Sequence, residues 1–529
     1  MNFLKKHSSI LLILLPAIAI FILTLIPTLT HKWPLSWDVI YHVLYANVYT
    51  QYGFVLINPL LGSPVGEKIA YPPLFHFLIA FLGTVFNQSY MLVARALQPF
   101  LAFFVILSVT YVGKKFYGNL AGVSAGFLMI SSYIVYRIML PVPENLALIF
   151  LPLAVYFFYV SAKNKNIKYA FIAGILLVVI AATHQAALLC LFVVISTLTL
   201  VDLLLYRDLN ILKNYGAFIF SMVLIVLLAV VALVIFKPAL IQSILSQGIS
   251  AALGYSTSLN YTIGLSAFKY IQYFGIMVLF FAVIGIYFAA KIRSKKDIYI
   301  FTWIIILLLL SKAYLIGINV LAPRLLIYIV MPLSILGGFG VSQVYNWLKG
   351  TKRFSSDKFR TMFIIAVFSL SLIFGVLTAA NPTMGSFYAK TEFGSVQIAP
   401  PSSSEVDLAN WFKNNGDKNQ SILIQNIYTG VFIAEQTGMP INYGFEYLNS
   451  STPRAFFDVG KVGYIVYDKR LVLPAANQTL NESKVNTELF PLFYFNEKYY
   501  QNVNLIQPSY FKLVYENNDF IVYEKENVQ

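Results

Sequence analysis

Long apolar segments recur along the first 380 residues of the chain and then stop. Each holds roughly 20 predominantly apolar residues, the length that crosses the hydrocarbon core of a bilayer as an α-helix. The predicted spans are residues 9–30, 93–113, 119–137, 144–161, 168–184, 186–205, 216–236, 270–290, 298–316, 323–346 and 361–380. The pattern predicts an all-α polytopic membrane domain of about 11 transmembrane helices at residues 1–380.

Residues 381–529 have a different pattern, with shorter apolar runs between polar ones. The stretch "SSSEVDLANWFKNN" predicts an amphipathic helix that opens with a capping box at Ser404 and Asp407. "SILIQN" and "VGYIVYD" are typical of strands, and "FKLVYENNDFIVYEK" predicts a hairpin that turns at Asn517-Asn518. We therefore expect a C-terminal α/β domain.

Composition supports the membrane assignment, since 59% of the 529 residues are hydrophobic and only 11% are charged. The formal charge is +15, but residues 381–529 hold 11 basic and 15 acidic residues, so the excess lies in the membrane part. Most of those basic residues fall in alternate loops, which makes that face cytoplasmic by the positive-inside rule. This explanation requires no nucleic acid. The single cysteine, Cys190, excludes an intrachain disulfide and a cysteine-rich metal site.

The resulting topology has a cytoplasmic N-terminus, an uncleaved first span and an extracytoplasmic C-terminal domain, and we expect it in the plasma membrane. Residues 31–92 form a large first outer loop. Within that loop, "YPPLFHFLIAFLGTVF" at 71–86 offers too few apolar residues for a span and predicts a surface or re-entrant helix.

Only seven carboxylates occur in residues 1–380, so the position of each is informative. Four of them lie beside Lys or Arg at the predicted cytoplasmic face, where solvated ion pairs are expected: Asp202, Asp208, Asp297 and Asp357. The other three, Asp38, Glu67 and Glu144, face outward near the membrane surface. A charge at bilayer depth costs about 2.5–3.5 kcal/mol, so such groups usually pair, line a cavity or perform chemistry. For Glu67, a solvated pair with Lys68 is the simpler expectation.

Asp38 in "LSWDVIYHVLYANVYTQYG" admits two interpretations. It could open a helix after Ser36 and stabilise the first turn through the helix dipole. Alternatively, Asp38 could act as a base that His42, one turn further on the same face, orients. Tyr41 lies beside both residues.

The loop continues "GFVLINPLLGSPVGEKIAYPPLFHFL", and here the chain resembles the first outer loop of GT-C glycosyltransferases. That superfamily includes oligosaccharyltransferase catalytic subunits, protein O-mannosyltransferases and aminoarabinose transferases. Its members take a sugar from a polyprenyl phosphate or diphosphate carrier on the non-cytoplasmic face. The resemblance implies that Asp38 is the catalytic carboxylate. Because Tyr71 stands where the aminoarabinose branch has a lysine, that lysine's role is not carried over.

Further motifs extend the resemblance through the membrane part. "LPVPENLALIF" supplies Glu144 where the superfamily has a second acidic motif, and "THQAALL" places His184 at an outer span end. "APRLLIYIV" places Arg324 where a family arginine contacts the carrier phosphate. The resemblance implies catalytic roles for Asp38 and Glu144, and the spacing of His42 from Asp38 makes His42 the third catalytic candidate. The candidates for substrate binding are Arg324, His184, Tyr41, His76, Arg95 and Lys68. No cofactor is certain; Asp38 and Glu144 would hold a divalent Mg²⁺ or Mn²⁺ if one binds.

Two departures bear on the acceptor. Asn426-Ile427-Tyr428-Thr429-Gly430 stands where oligosaccharyltransferases begin a Trp-Trp-Asp-Tyr-Gly segment, and the loop "SKAYLIGINVLAP" carries no acidic residue. Both argue against transfer of a whole glycan to sequons, so a protein, glycan or lipid acceptor stays open. A lipid-linked-sugar flippase, or an inactive relative whose outer domain binds partners, would share the same composition.

Overall fold

The computed structural model divides into two compact units. It describes residues 2–30, 32–36, 38–69, 71–238, 241–242, 264–318, 320–351, 356–379, 389–390, 396–397, 401–424, 426–444, 452–469 and 510–526. The membrane unit comprises residues 1–32, 71–75 and 96–381, and the sheet unit comprises 33–70, 76–95 and 382–529. Most of the predicted first outer loop, 31–92, thus belongs to the same unit as the C-terminal residues. The predicted domain boundary at residue 380 stays a prediction.

Helices account for most of the described chain. In chain order they are α1 (Asn2–Thr30), α2 (Asp38–Tyr52), α3 (Leu74–Phe86), α4 (Tyr90–Tyr117), α5 (Asn119–Ser131), α6 (Pro143–Asn164), α7 (Ile167–Ala181), α8 (Gln185–Leu205), α9 (Asn210–Phe236), α10 (Ala267–Phe274), α11 (Ile276–Ile292), α12 (Lys295–Ser311), α13 (Ala322–Gly350), α14 (Asp357–Ala379), α15 (Ser403–Asn415), α16 (Ile427–Thr437) and α17 (Arg454–Val459). Two 3-10 helices lie at Tyr133–Met139 and Ala313–Ile316.

Each of the eleven predicted spans coincides with one of these helices or with a bent pair of helices. Seven described helices are long and apolar enough to cross a membrane, and nine crossings result if each of two bent pairs counts as one span. The pairs are α5 with the following 3-10 helix, bent by 90°, and α10 with α11, bent by 100°. The polytopic helical fold is confirmed, while the number of crossings stays a prediction.

Glycines let α13 pack closely against two neighbours. A Cβ atom at Gly338 would collide with the carbonyl oxygen of Ala121 in α5, and one at Gly340 would collide with the carbonyl oxygen of Phe281 in α11. Small residues allow two helix backbones to approach this closely. Such close packing drives helix association in a membrane, because the hydrophobic effect does not drive it there. The segment "LGGFG" therefore fixes the position of α13, the helix that begins two residues before Arg324.

Two carboxylates at the predicted cytoplasmic face are buried, which corrects the expectation of solvated ion pairs. Asp202 accepts a hydrogen bond from the Tyr299 hydroxyl at 2.6 Å and forms a salt bridge with Lys295 at 2.8 Å. Asp297 completes a capping box with Ser294 at the start of α12 and accepts from Tyr117 at 2.8 Å. Tyr299 is 97 residues from Asp202 and Tyr117 is 180 residues from Asp297, so local composition did not predict the burial.

The sheet unit contains a five-stranded sheet with the order β6-β5-β7-β9-β8. Its strands are β5 (Ser421–Ile424), β6 (Ile441–Asn442), β7 (Val462–Asp468), β8 (Phe511–Glu516) and β9 (Phe520–Lys525), and the shorter strands of the unit are β1 (Ile57–Asn58), β2 (Glu67–Lys68), β3 (Ala389–Lys390) and β4 (Val396–Gln397). β5 pairs in parallel with β6 and β7, whereas β9 pairs antiparallel with β7 and β8. The predicted α/β domain and its hairpin at Asn517-Asn518 are confirmed.

The first outer loop continues this sheet at its β6 edge. The Ile441 amide donates to the Leu60 carbonyl, and the Ser63 amide donates to the Ile441 carbonyl, both at 2.8 Å. Pairing covers an edge that would otherwise expose backbone hydrogen-bonding groups. The helix α15 also begins earlier than predicted, because Ser402 and Glu405 form its capping box instead of Ser404 and Asp407.

Close packing of α13 generates a stability prediction. Replacing Gly338 with alanine should destabilise the protein by about 1–3 kcal/mol, because the added methyl meets the backbone of α5. Gly216→Ala is the matched control, since nothing lies within 4 Å of a Cβ there and alanine favours a helix. Thermal unfolding in detergent should show a lower Tm for G338A only. Equal shifts for both variants would contradict this account of the packing.

Candidate functional site

The helix α2 holds Asp38 at its first residue, and its other residues are largely buried. Val39, Val43 and Leu44 are completely buried, whereas the Asp38 side chain is exposed. A carboxylate in the first turn is stabilised by the helix dipole, as the helix-start interpretation of Asp38 predicts. The buried faces anchor the helix, so Asp38 occupies a fixed position at its accessible end.

A pair of buried histidines lies one turn further along α2. His42 Nδ1 is 3.0 Å from His76 Nε2 of α3, and their rings stack with centroids 5.2 Å apart. The rings of Tyr45 and Tyr49 also contact His76, at 5.2 and 5.9 Å. Burial lowers the pKa of His76 to about 3, so this imidazole is neutral at physiological pH. His76, predicted to bind substrate, thus lies inside the unit against His42.

The hydrogen bond between the two rings indicates the tautomer of His42. His76 Nδ1 is buried and has no hydrogen-bond partner among the described residues. A buried N–H without an acceptor is rarer than an unsatisfied acceptor, so the His76 proton belongs on Nε2, where it donates to His42 Nδ1. Neutral His42 then carries its own proton on Nε2. A side chain in a helix lies over the turn that precedes it, so the His42 ring lies over the turn that contains Asp38.

Helix α16 packs along α2 in the same direction. The rings of Tyr41 and Tyr428 meet edge to face at 6.1 Å, and six residues further along α2 the Asn47 amide donates to Glu435 Oε1 at 3.0 Å. Burial raises the pKa of Glu435 to about 7. Tyr41, a predicted substrate contact, is therefore half-buried against the C-terminal part of the sheet unit.

Glu67 does not form the solvated pair expected with Lys68. It is partly buried and accepts a hydrogen bond from the Tyr443 hydroxyl at 2.6 Å, while Lys68 is exposed. Burial raises the pKa of the Glu67 carboxyl, and the Tyr443 hydrogen bond partly opposes this effect. Glu67 thus connects β2 to the residue that follows β6.

Glu144 forms the centre of a separate buried cluster in the membrane unit. Its Oε2 accepts from Arg137 at 2.5 Å, and its Oε1 accepts from the Tyr328 hydroxyl at 2.9 Å. Tyr328 also lies 3.2 Å from His184 Nδ1, and His184 caps α8 by accepting from the Ala187 amide. The cluster joins the 3-10 helix at Tyr133–Met139 to α6, α8 and α13.

Arg324 is half-buried in the first turn of α13, four residues before Tyr328. Residues at this spacing share a helix face. The Arg324 charge interacts with both Glu144 and His184. The structure therefore brings together three of the predicted site residues, Glu144, His184 and Arg324, within the membrane unit. Arg95 is half-buried in the second turn of α4 and belongs to the sheet unit.

Sequence reasoning missed several partners of Glu144 and of the first outer loop. Arg137 and Tyr328 engage Glu144, and Tyr443 and Glu435 fix the first outer loop. Arg137 lies only seven residues before Glu144, so a search for a charge partner of that carboxylate could have found it. The roles of all predicted site residues in binding or catalysis stay predictions.

Of the two predicted ligands for a divalent metal, Glu144 is already engaged by other side chains. Both carboxylate oxygens of Glu144 are engaged, one by an arginine and one by a tyrosine. Among the described residues, no three His, Cys, Asp or Glu side chains are grouped as a metal site requires. A metal at Glu144 would displace a charge-assisted hydrogen bond in a buried cluster.

The tautomer assignment generates a spectroscopic prediction. In protein labelled with [¹⁵N]histidine, which has five histidines in all, His42 should show a protonated Nε2 and an unprotonated Nδ1. His76→Phe keeps the ring but removes the donor, so the His42 signal should change to a mixture of tautomers. His76→Gln, which retains a donor, is the control. Protonation of His42 at Nδ1 in the unmodified protein would refute the assignment.

The raised pKa of Glu435 predicts pH-dependent stability. A carboxyl with a folded pKa near 7 binds a proton that the unfolded chain, with a pKa near 4.5, has already lost. Stability should therefore fall as pH rises from about 4.5 to 7. Glu435→Gln removes this dependence. The Tm of the variant minus the Tm of the parent should therefore increase as pH rises from 5 to 8. A Tm difference that does not change with pH would show that this carboxyl titrates normally.

No known family model matches the sequence, and no curated protein matches it. Solved structures do match the fold. An oligosaccharyltransferase from Archaeoglobus fulgidus in the apo form aligns with a TM-score of 0.61 at 14% identity, over 89% of this chain and 71% of that chain. ArnT from Cupriavidus metallidurans bound to undecaprenyl phosphate aligns with a TM-score of 0.60 at 10% identity, over 98% of both chains.

A third structure extends the comparison. The mycobacterial arabinofuranosyltransferase AftD aligns with a TM-score of 0.53 at 13% identity, over 97% of this chain and 40% of that chain. All three neighbours are polytopic membrane glycosyltransferases of the GT-C superfamily. At identities of 10% to 14%, the likeness to these structures is a likeness of fold. The chain therefore shares the fold of these three glycosyltransferases, the fold that the resemblance of its first outer loop predicts.

Proposed function

We propose that this protein is an integral membrane glycosyltransferase. It would transfer a sugar from a polyprenyl or dolichyl phosphate-linked donor to a protein, glycan or lipid acceptor on the non-cytoplasmic face. Two neighbours support this choice of donor, since one archaeal oligosaccharyltransferase was solved with a dolichol-phosphate and ArnT was solved with undecaprenyl phosphate. The observation that carries the proposal is the exposed Asp38 carboxylate at the start of a largely buried helix.

In the proposed reaction, Asp38 is the general base. An acceptor hydroxyl attacks the anomeric carbon of the sugar, and its proton passes to the Asp38 carboxylate as the new glycosidic bond forms. The bond from the anomeric carbon to the phosphate oxygen breaks, and the lipid-linked phosphate leaves with the bonding electrons. A phosphate is a good leaving group, so the base contributes more than a general acid would.

Charged side chains would stabilise the leaving phosphate. Arg324 suits this role because its planar guanidinium can form two parallel hydrogen bonds to phosphate oxygens. Lys68 and Arg95 are additional candidates.

His42 would act as a positioning residue that donates from Nε2 towards Asp38, and Glu144 would hold Arg137 and Tyr328 in place. His184, which caps α8 beside Tyr328, would support the phosphate site through that contact.

The proposal includes no metal-dependent step. One structure of the archaeal oligosaccharyltransferase is a complex with zinc and sulfate. In this chain both oxygens of Glu144 are engaged, so its use as a metal ligand would require the cluster to rearrange.

Loss of the base should abolish transfer with little effect on folding. Purified Asp38→Asn should transfer sugar from a radiolabelled polyprenyl-phosphate hexose at least about 100-fold more slowly, the usual contribution of general base catalysis. Because the acceptor is unidentified, a panel of glycans, peptides and lipids is tested beside hydrolysis by water. Glu67→Gln is the matched control, since it also removes one outer-loop carboxylate but keeps an acceptor for Tyr443, and it should retain activity within about 3-fold.

Two results would contradict the proposal. Transfer that persists in Asp38→Asn would exclude this carboxylate as the base. Movement of the labelled lipid across a vesicle membrane, without any transfer of sugar by the unmodified protein, would instead identify a flippase.

A further inference from the structure

A groove of about 420 Å³ runs along the surface of the membrane unit where α1, α4 and α6 meet. Its walls are apolar and include Leu14 of α1, Phe104 and Leu107 of α4, and Ile149 and Leu153 of α6. These five side chains are half-buried or exposed. The groove takes no part in the proposed reaction, because it contains none of the candidate site residues.

The length of the groove matches one leaflet of a bilayer. Phe104 and Lys115, which both line it, are 11 positions apart on α4. At a rise of 1.5 Å per residue they span about 16 Å, and half of a typical hydrocarbon core is about 15 Å. An acyl chain that stands in the leaflet would therefore fill the groove from its headgroup to the middle of the bilayer.

Two lysines lie at one end of the groove, in the last turn of α4. Lys114 is half-buried, and the ammonium of Lys115 lies 5.3 Å from the centre of the Tyr111 ring, a cation–π distance. Within the described residues, no acidic side chain forms a salt bridge with either lysine. Two positive charges at the end of an apolar groove complement an anionic lipid headgroup.

We propose that this groove binds one anionic phospholipid of the leaflet that contains the α4 C-terminus, predicted to be the cytoplasmic leaflet. Lys114 and Lys115 would bind the headgroup phosphate, and the apolar walls would hold an acyl chain. The site is distinct from the proposed donor site, because the Arg324 end of α13 and the Glu144 end of α6 are predicted to face the opposite membrane surface.

Native mass spectrometry of the full chain tests the proposal. Protein from nanodiscs that contain phosphatidylglycerol should retain one tightly bound lipid, whereas protein from phosphatidylcholine nanodiscs should not. The double variant Lys114→Ala/Lys115→Ala should bind phosphatidylglycerol about 30-fold more weakly, since each basic residue near an anionic surface contributes about 5-fold. Lys163→Ala/Lys168→Ala removes two charges from the same predicted face outside the groove and should bind normally.

A second variant tests the apolar part of the site. Leu107→Trp should fill the groove and reduce retention of phosphatidylglycerol while both lysines remain, which also covers the case that the lysine variant misfolds. Equal losses in both lysine variants, or equal retention of the two lipids, would show that the protein binds only bulk lipid. Displacement of phosphatidylglycerol by polyprenyl phosphate at equal concentration would assign the groove to the carrier and overturn the proposal.

Discussion

A carboxylate among apolar helices must be neutralised, and the cluster around Glu144 meets this requirement. Taking a charge out of water costs several kcal/mol, which an ion pair offsets only when its remaining hydrogen bonds are also satisfied. Arg137 and Tyr328 satisfy one oxygen of Glu144 each, whereas the buried Arg137 Nε has no hydrogen-bond partner among the described residues. Because these partners come from different elements, the same interaction fixes the 3-10 helix, α6 and α13 relative to one another. Removing Arg137 would leave the buried Glu144 charge without its ion pair, and removing Tyr328 would leave one oxygen of Glu144 without a hydrogen bond.

The need to neutralise a buried carboxylate distinguishes the roles of Glu144, Asp38 and Glu67. Glu144 is engaged by two partners, so moving it during a reaction would break a charge-assisted hydrogen bond. Asp38 differs from Glu144 in burial, because it is exposed at the start of a helix whose other residues are largely buried. Glu67 accepts from Tyr443 and thereby connects the first outer loop to the residue that follows β6. Of these three outward carboxylates, Asp38 is the one whose surroundings suit a base that must accept and release a proton.

Sequence patterns predicted the elements that depend on local physics. A run of about 20 apolar residues is sufficient to predict a span, and Asn517-Asn518 between alternating strands is sufficient to predict the hairpin. The bends after Ser131 and before Ile276 were not evident, because the apolar pattern continues through them. At the start of α15, two capping boxes overlap in "SSSEVD", and the pattern alone could not distinguish Ser402 with Glu405 from Ser404 with Asp407.

The candidate site was predictable only in part, for a similar reason. Asp38 and His42 lie on one helix, so their spacing shows that they share a face. His76 is 34 residues away from His42, and Tyr328 is 184 residues away from Glu144, so only the fold brings these partners together. The burial of Asp202 depends likewise on Tyr299, 97 residues further on. Composition places carboxylates near a membrane face, but it does not reveal which of them are already engaged.

The most direct test of the account is a cryo-EM structure of the protein with its polyprenyl-phosphate donor bound. We expect density for the phosphate in contact with the Arg324 guanidinium, while Glu144 retains its hydrogen bonds to Arg137 and Tyr328. Phosphate density at a distance from Arg324, or a Glu144 that releases Arg137 to bind the donor, would contradict the central claim.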